Sequence, residues 1–347
     1  MVSGAWHWLE LIAGVVLTAA TLADIFVTIL VPGPNRGYLR IGARLNAVTL
    51  PLARALSGRH RGGRRPSNSF APFMFLLVFT TWMLLLLAGF GLLFDAMGNH
   101  FTPRLGGFDD AVYFAGSSLL TLGVSEVDAH GPARWLLLSA GLSGFAVITA
   151  TLTFVLQVQT ALHQRESRVL TLGSLAGTPP TGIGLLEAVC ALSVKTELHD
   201  FFRTWRDWAA AVLHSHVASP MLIFFSSVDE ESDWLASLGA VLDAATILMA
   251  LTDDEAKGAA TLMHRGGSRT AARLCALLVM DRRDAPPLGE EAVRALSARL
   301  QRSGYPVVPV DAQVVDRFEH LRGDYAGRID ALAERLGANR TAPVPLA

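Results

Sequence analysis

The chain has 347 residues, 51% of them hydrophobic and only 17% charged, with 29 basic against 30 acidic side chains and a formal net charge of −1. A mean hydropathy of +0.39 exceeds what a soluble globular protein usually carries. The composition argues against an entirely water-soluble chain, and nothing in the charge balance points to a nucleic-acid partner.

The apolar excess sits in the first half, where three windows reach the roughly 20 residues that a helix needs to cross a bilayer. The first, Leu11 to Val31, holds one charge, Asp24. Its leading residues carry no Lys or Arg, and Trp6 and Trp8 suit an interfacial anchor, so it is read as a retained span and not a cleaved leader. Asp24 is costly at membrane depth. It is assigned a structural contact with a neighbouring span or a loop arginine, with an ion or proton site as the alternative.

Residues 33–69 follow as a basic loop. Arg36, Arg40, Arg44, Arg54, Arg59, Arg61, Arg64 and Arg65 face no acidic residue between Pro32 and Ser69. The positive-inside rule makes this loop cytoplasmic and the amino terminus external. Leu39, Leu45, Val48, Leu52 and Leu56 interleave with the arginines. That pattern fits an amphipathic helix on the inner leaflet, with lipid headgroups as partners; topology determination alone is the other explanation. Arg59 to Arg65 is a Gly-rich connector.

The second span, Phe70 to Phe94, is uncharged and reads as an outer helix in which Gly89 and Gly91 permit close approach of a neighbour. An external segment from Asp95 to Arg134 then carries Asp95, Asp109, Asp110, Glu126 and Asp128 against Arg104 and Arg134. Within it lies Phe108 to Val127, about half the length required to span. A stretch that short, set between two spans, is read as re-entrant: a brief helix that enters, turns and leaves on the same side. Irregular backbone at that depth must line a wet cavity or be enclosed by protein.

The aromatic pair Tyr113 and Phe114, followed by Thr121, Leu122, Gly123, Val124, Ser125 and Glu126 and then a further span, resembles the pore module of the two-transmembrane potassium channels. The resemblance covers roughly Phe70 to Gln164. It implies a tetramer whose backbone carbonyls over Thr121, Leu122, Gly123, Val124 and Ser125 replace the hydration shell of a monovalent cation, K+ in the family, with no other cofactor. The family turn usually reads Thr-Val-Gly-Tyr-Gly-Asp. Val124 and Ser125 depart from it, and Ser adopts positive φ less readily than Gly. A cation pore is therefore implied more directly than strict potassium selectivity. Glu126 and Asp128, next to the turn, would concentrate cations at the outer vestibule.

The third uncharged window, Trp135 to Leu162, carries Ser139, Ser143, Thr149, Thr153, Gln157 and Thr160 within roughly a third of the helix circumference. Such a stripe suits a wet inner cavity, for which Ser143, Thr149, Thr153 and Gln157 are the candidate lining; interhelical hydrogen bonding is the alternative. Gly141 and Gly144 fall on other faces, for tight packing or a gating bend. The helix continues out of the membrane through Arg165, Glu166 and Arg168.

The remainder is expected in the cytoplasm. Residues 169–184 form a linker rich in helix breakers, and residues 185–347 a helical domain. Helices are predicted over Leu185–Val217, from Ser227 with Glu230 as a capping box to Leu251, from Thr252 with Glu255 likewise, and over Arg269–Met280, Glu290–Ser303 and Ala312–Leu336. Met221–Phe225 and the weaker Val307–Val310 are strand-like. No glycine-rich phosphate loop or catalytic constellation is present. His199 with Asp200, and His214 with His216, lack the companions of a metal centre. Cys190 and Cys275 read as free thiols. Phe201, Phe202, Trp205 and Trp208 read as core. Asp229, Glu230, Glu231 and Asp233 read as a helix-start charge preference, with calcium as a remote alternative.

The expectation is an all-α membrane protein of the plasma (inner) membrane: three transmembrane helices, a re-entrant pore helix and filter loop, and a cytoplasmic helical domain open to an unknown regulator. The division is 1–32 first span, 33–69 basic loop, 70–168 pore module, 169–184 linker and 185–347 helical domain. The function expected is passive cation conduction by a homotetramer and not enzymatic catalysis. The alternatives are a nonselective pore of the same build, or a nonconducting receptor or scaffold.

Overall fold

A computed structural model of the chain describes residues 2–30, 41, 44–45, 49, 70–123, 127–225, 227, 233–281 and 283–338. Among the described residues, four helices are long and apolar enough to cross a membrane, the marks of an all-α membrane protein. Among the described residues, extended pairing is limited to one pair of two-residue strands and a single bridge between Thr252 and Val307. The chain divides into two compact units, one of residues 1–52 and 71–158, the other of 53–70 and 159–347.

In the first unit, α1 spans Val2–Leu30 and α2 spans Phe70–Ala96. The only proline in α2, Pro72, lies in its first turn, where its missing N–H is not needed. The two helices approach closely: a Cβ on Gly14 would sit 2.9 Å from the Gly89 carbonyl oxygen, and one on Gly89 would sit 2.4 Å from Thr18 Oγ1. Near the other end of α1, Asp24 is 1% exposed and accepts a 3.0 Å hydrogen bond from Trp82 Nε1. The contact with a neighbouring helix expected of this acid is therefore present. Two short strands, β1 (Phe101–Thr102) and β2 (Asp128–Ala129), pair antiparallel, and α3 (Phe108–Leu119) lies between them in sequence.

The long helix α4 runs Pro132–Ala176 and opens on proline, whose fixed φ suits a helix start. Its first part belongs to the first unit and its last part to the second. The pore-module boundary expected at 168 and the linker expected over 169–184 both fall differently. Val169 and Leu172 are buried in the core of the second unit, so the helix persists to Ala176. The break then shrinks to residues 177–181, with Gly177 at φ +80° and Thr181 capping the next helix through Gly184 N at 3.1 Å.

The second unit is helical throughout its core: α5 (Gly182–Ala191), α6 (Leu198–Ala218), α7 (Trp234–Leu251), α8 (Lys257–Leu277), α9 (Glu290–Arg302), α10 (Ala312–Gly323) and α11 (Ala326–Leu336). Helix α7 is its centre, 94% of its apolar window lying inside the unit. The corresponding shares for α1, α2 and α4 are 28%, 33% and 17%.

Several expected boundaries are corrected. The single helix over 185–217 is two, because Ser193 turns left-handed at φ +59°. Helix α7 starts at Trp234, where Asp233 caps it by accepting from Leu235 N at 2.8 Å and Ser227 Oγ accepts from Trp234 N; Glu230, the other member of the expected box, lies outside the described residues. Thr252 is extended and accepts from Asp254 N, and Asp254 accepts from Ala256 N, so these turns delay α8 to Lys257. Met221–Phe225 is not a strand but a 3-10 turn, Pro220–Phe224, with proline at its first position. The last predicted helix is broken between Gly323 and Ala326, where Tyr325 is 1% exposed and its hydroxyl donates to buried Asp243 at 2.5 Å. Most arginines of the basic loop, and Asp229, Glu230 and Glu231, lie outside the described residues.

Candidate functional site

The segment from Pro103 to Val127 leaves and returns to one place. Phe101 faces Ala129 and Thr102 faces Asp128 across the β pair, and His130 N donates to the His100 carbonyl at 2.8 Å just below it. Arg134 Nε donates to the Ala129 carbonyl at 2.9 Å and ties the start of α4 to the same clamp. The excursion is thus closed at its base.

Its helix, α3, is fixed on one face and open on the other. Phe114 packs in a triangle with Phe94 and Phe101, ring centroids 5.3 to 5.6 Å apart. Ala111 and Ala115 are fully buried. On the α2 side, a Cβ at Gly91 would meet Val112 Cγ2 at 2.7 Å. On the α4 side, one at Gly144 would lie 1.8 Å from the Leu119 carbonyl oxygen, so only glycine fits this crossing. Gly141 has room, its added Cβ lying 3.7 Å from the Ser118 carbonyl. Tight packing, one of the two roles open to these glycines, belongs to Gly144. Tyr113, the other member of the aromatic pair, is 66% exposed.

Asp109 and Asp110 occupy the first turn of α3, where they complement the helix dipole, and Asp110 Oδ2 accepts from Gly106 N at 2.9 Å. The opposite end closes with Thr121 N donating to the Ser118 carbonyl at 3.1 Å and Leu122 N to the Ser117 carbonyl at 2.9 Å. This paired reach-back is a Schellman cap, whose left-handed position usually holds glycine. Here Thr121 occupies it at φ +54°, and Gly123 is left-handed again at φ +64°. A β-branched residue in that region is strained by about 1–3 kcal/mol. Thr121, Leu122 and Gly123 are all exposed within the single chain. Val124, Ser125 and Glu126 lie outside the described residues. Asp128 is exposed on β2.

The polar stripe of α4 is on its open side. Ser139, Thr149, Thr153, Gln157 and Thr160 are exposed and Ser143 half-exposed. Ser139, Ser143 and Thr153 donate to the carbonyls of Leu136, Ser139 and Thr149 in their own helix, which satisfies the hydroxyl protons without a partner helix. Beside the stripe, Trp135, Leu138, Leu142 and Phe145 are each more than 60% exposed.

In the second unit, His199 and Asp200 form an exposed 3.8 Å pair, and among the described residues no group of three or more His, Cys, Asp or Glu side chains is placed to hold a metal. Phe202, Trp205 and Trp208 are core, Cys190 is half-buried and Cys275 buried, both free. A cleft of about 600 Å³ is lined by Lys195, His199, Asp253, Asp254 and Glu255. Within it Lys195 Nζ is engaged by Asp254 at 2.8 Å and lies 4.6 Å from the Tyr305 ring centre. Sequence reasoning does not single out Gly144 as a fixed contact, for which its place on a face apart from the polar stripe is the available signal. It also puts Arg165 at a solvated exit, whereas Arg165 is 2% exposed.

Comparison with family models, with curated proteins and with solved structures returned no match for this chain.

Proposed function

We propose that the chain is one subunit of an oligomeric cation channel, with α1, α2 and the first part of α4 as transmembrane helices and α3 with its following turn as the re-entrant pore element. The single observation that carries this reading is the closed excursion: residues 103–127 start and finish at one β pair, as a segment must that dips into a membrane and returns. The left-handed Thr121 and Gly123 bend the backbone directly after α3, and the carboxyl end of a helix, with its negative dipole end, favours a cation nearby.

Three helices with apolar faces left open are suited to lipid or to copies of the same chain, whereas α7, apolar all round and enclosed, is suited to a soluble core. One pore element per chain cannot enclose a pathway, so symmetry must supply the rest. Four copies, a plasma-membrane location, an external amino terminus and a cytoplasmic second unit complete the proposal. Ions would pass Thr121 to Ser125 by successive carbonyl contacts and enter a cavity lined by Ser143, Thr149, Thr153 and Gln157. The second unit would bias opening through the continuous helix α4.

The test is cation flux from purified protein in liposomes under potassium and sodium gradients. Flux that Gly123→Asp abolishes is expected. A reversal potential following potassium alone supports a selective filter, and one indifferent to the two ions supports the nonselective pore that Val124 and Ser125 favour. Absence of flux, with Gly123→Asp without effect, would leave the receptor or scaffold.

A further inference from the structure

Helix α4 brings a buried charge into the second unit. The Arg165 guanidinium donates to the Phe225 carbonyl at 2.8 Å through Nη2 and to the Leu222 carbonyl at 3.4 Å through Nη1, while Nε donates to Glu166 Oε1 at 2.8 Å. Its Cζ lies 5.1 Å from the centre of the Trp234 ring, at the first residue of α7. Its own carbonyl accepts from Trp208 Nε1, on α6, at 3.1 Å. Glu166 in turn accepts from Ser227 Oγ at 3.3 Å. One residue thereby joins the end of α4 to α6, to the 3-10 turn and to the start of α7.

A buried guanidinium is tolerated only while its donors are met. Here the acceptors are the Leu222 carbonyl, which also accepts from Phe225 N at 3.1 Å, and the carbonyl of Phe225, the residue that closes the 3-10 turn. The grip therefore exists only while Pro220–Phe224 keeps its shape. Arginine suits the task because its planar fork bonds two carbonyls and stacks on an indole at once, which lysine cannot do. His216, whose ring lies 5.3 Å from that of Trp234, donates from Nδ1 to the Val212 carbonyl at 2.7 Å and is buried. Burial first, and Arg165 second, hold it neutral, so it adds no second positive charge, and the carboxylates of Glu166 and Asp233 are the ones that balance the guanidinium.

We propose that Arg165 is a latch that fastens the carboxyl end of α4 to the second unit, and that its release frees this end without unfolding α7 and α8. Its effect on conduction rests on the channel reading; the attachment does not. Hydrogen exchange of the full-length protein in lipid, together with cation flux, tests both. In Arg165→Gln, exchange over 159–176 and 220–225 should rise at least tenfold while 234–277 keeps wild-type protection, and flux should change at least threefold. Should that variant unfold, Arg165→Lys, which retains the charge but not the fork, carries the test with the same pattern at smaller amplitude. Unchanged exchange over 159–176, or uniform loss of protection in both variants, overturns the latch. Changed exchange with unaltered flux from a conducting wild type overturns its role in opening. If wild-type protein conducts nothing, the channel reading has failed, and the exchange pattern alone decides the attachment.

Discussion

Helices α2 and α7 have nearly the same character in sequence and opposite surroundings in the fold. Each is an apolar run without Lys or Arg, long enough to be a membrane span, yet α2 is one-third enclosed and α7 almost wholly so. In α2 the exposed side chains include the large apolar Phe73, Leu76 and Leu84, together with Thr80. In α7 the enclosed side chains include Asp243, an ionisable group that a protein core with a partner such as Tyr325 accommodates and a lipid-facing surface does not. Hydropathy measures what a helix avoids, and water is avoided equally in lipid and in a protein core. What separates the two is whether the rest of the chain supplies partners all round.

The sharpest break of this comparison is one carboxylate placed in each helix. Leu248→Asp buries an unpaired charge at a fully enclosed position and should cost more than about 4 kcal/mol, abolishing cooperative unfolding of the second unit. Leu84→Asp, at a 58% exposed position, should leave that unfolding intact and lower the membrane-integrated fraction, with an insertion cost of about 2.5–3.5 kcal/mol. Carbonate extraction and denaturant unfolding of both variants read the two effects. The reverse pattern, with Leu248→Asp blocking integration and Leu84→Asp silent, would make α7 the span.

A smaller effect comes from the glycine contacts that each region uses where backbones nearly touch. Gly144→Ala should push the end of α3 away from α4, cost about 1–3 kcal/mol by overpacking and alter flux or ion preference, while Gly141→Ala is tolerated. Gly327→Ala, whose Cβ would lie 1.9 Å from the Arg283 carbonyl oxygen, should lower the stability of the second unit and leave ion preference alone. Equal effects of Gly144→Ala and Gly327→Ala on ion preference would remove the special status of the α3–α4 contact.

Charge-free runs and arginine-rich surroundings make the apolar helices of the first unit legible in the amino-acid sequence, and so is the brief helix Phe108–Leu119 between two longer ones. The clamp that closes it is not, because two-residue strands carry no period from which to recognise them. The left-handed turn at Thr121 is invisible for a related reason: propensity assigns that conformation to glycine, and the cap is imposed by the hydrogen bonds of residues 117–122. In the second unit the helical content is legible, as are the starts at Glu290 and Ala312, but the starts of α7 and α8 are not. Ser227 and Thr252 each bear the side chain of a capping residue, yet nearby Asp233 and Asp254 accept from backbone N–H groups and set the local turns. Arg165 escapes the sequence because local polarity says nothing of which distant carbonyls a guanidinium will meet.

The finest distinction between the regions is pH dependence at His216, whose pKa is pushed down to about 3, by burial first and then by Arg165. A histidine depressed in the folded state binds fewer protons there than in the unfolded chain, where it titrates near 6.5. Its contribution to stability is therefore complete above about pH 6.5 and is lost as the pH falls from there toward 3, by up to about 1.4 kcal/mol per pH unit. Denaturant unfolding of the second unit between pH 7 and pH 4, followed by tryptophan fluorescence, should steepen accordingly. His216→Phe, which keeps a ring beside Trp234, should flatten that slope relative to wild type. Membrane integration of the first unit should be unmoved by the same substitution. An identical slope in both proteins would mean that the His216 site opens to water before the unit unfolds, and that the enclosure distinguishing α7 from α2 does not extend to its first turn.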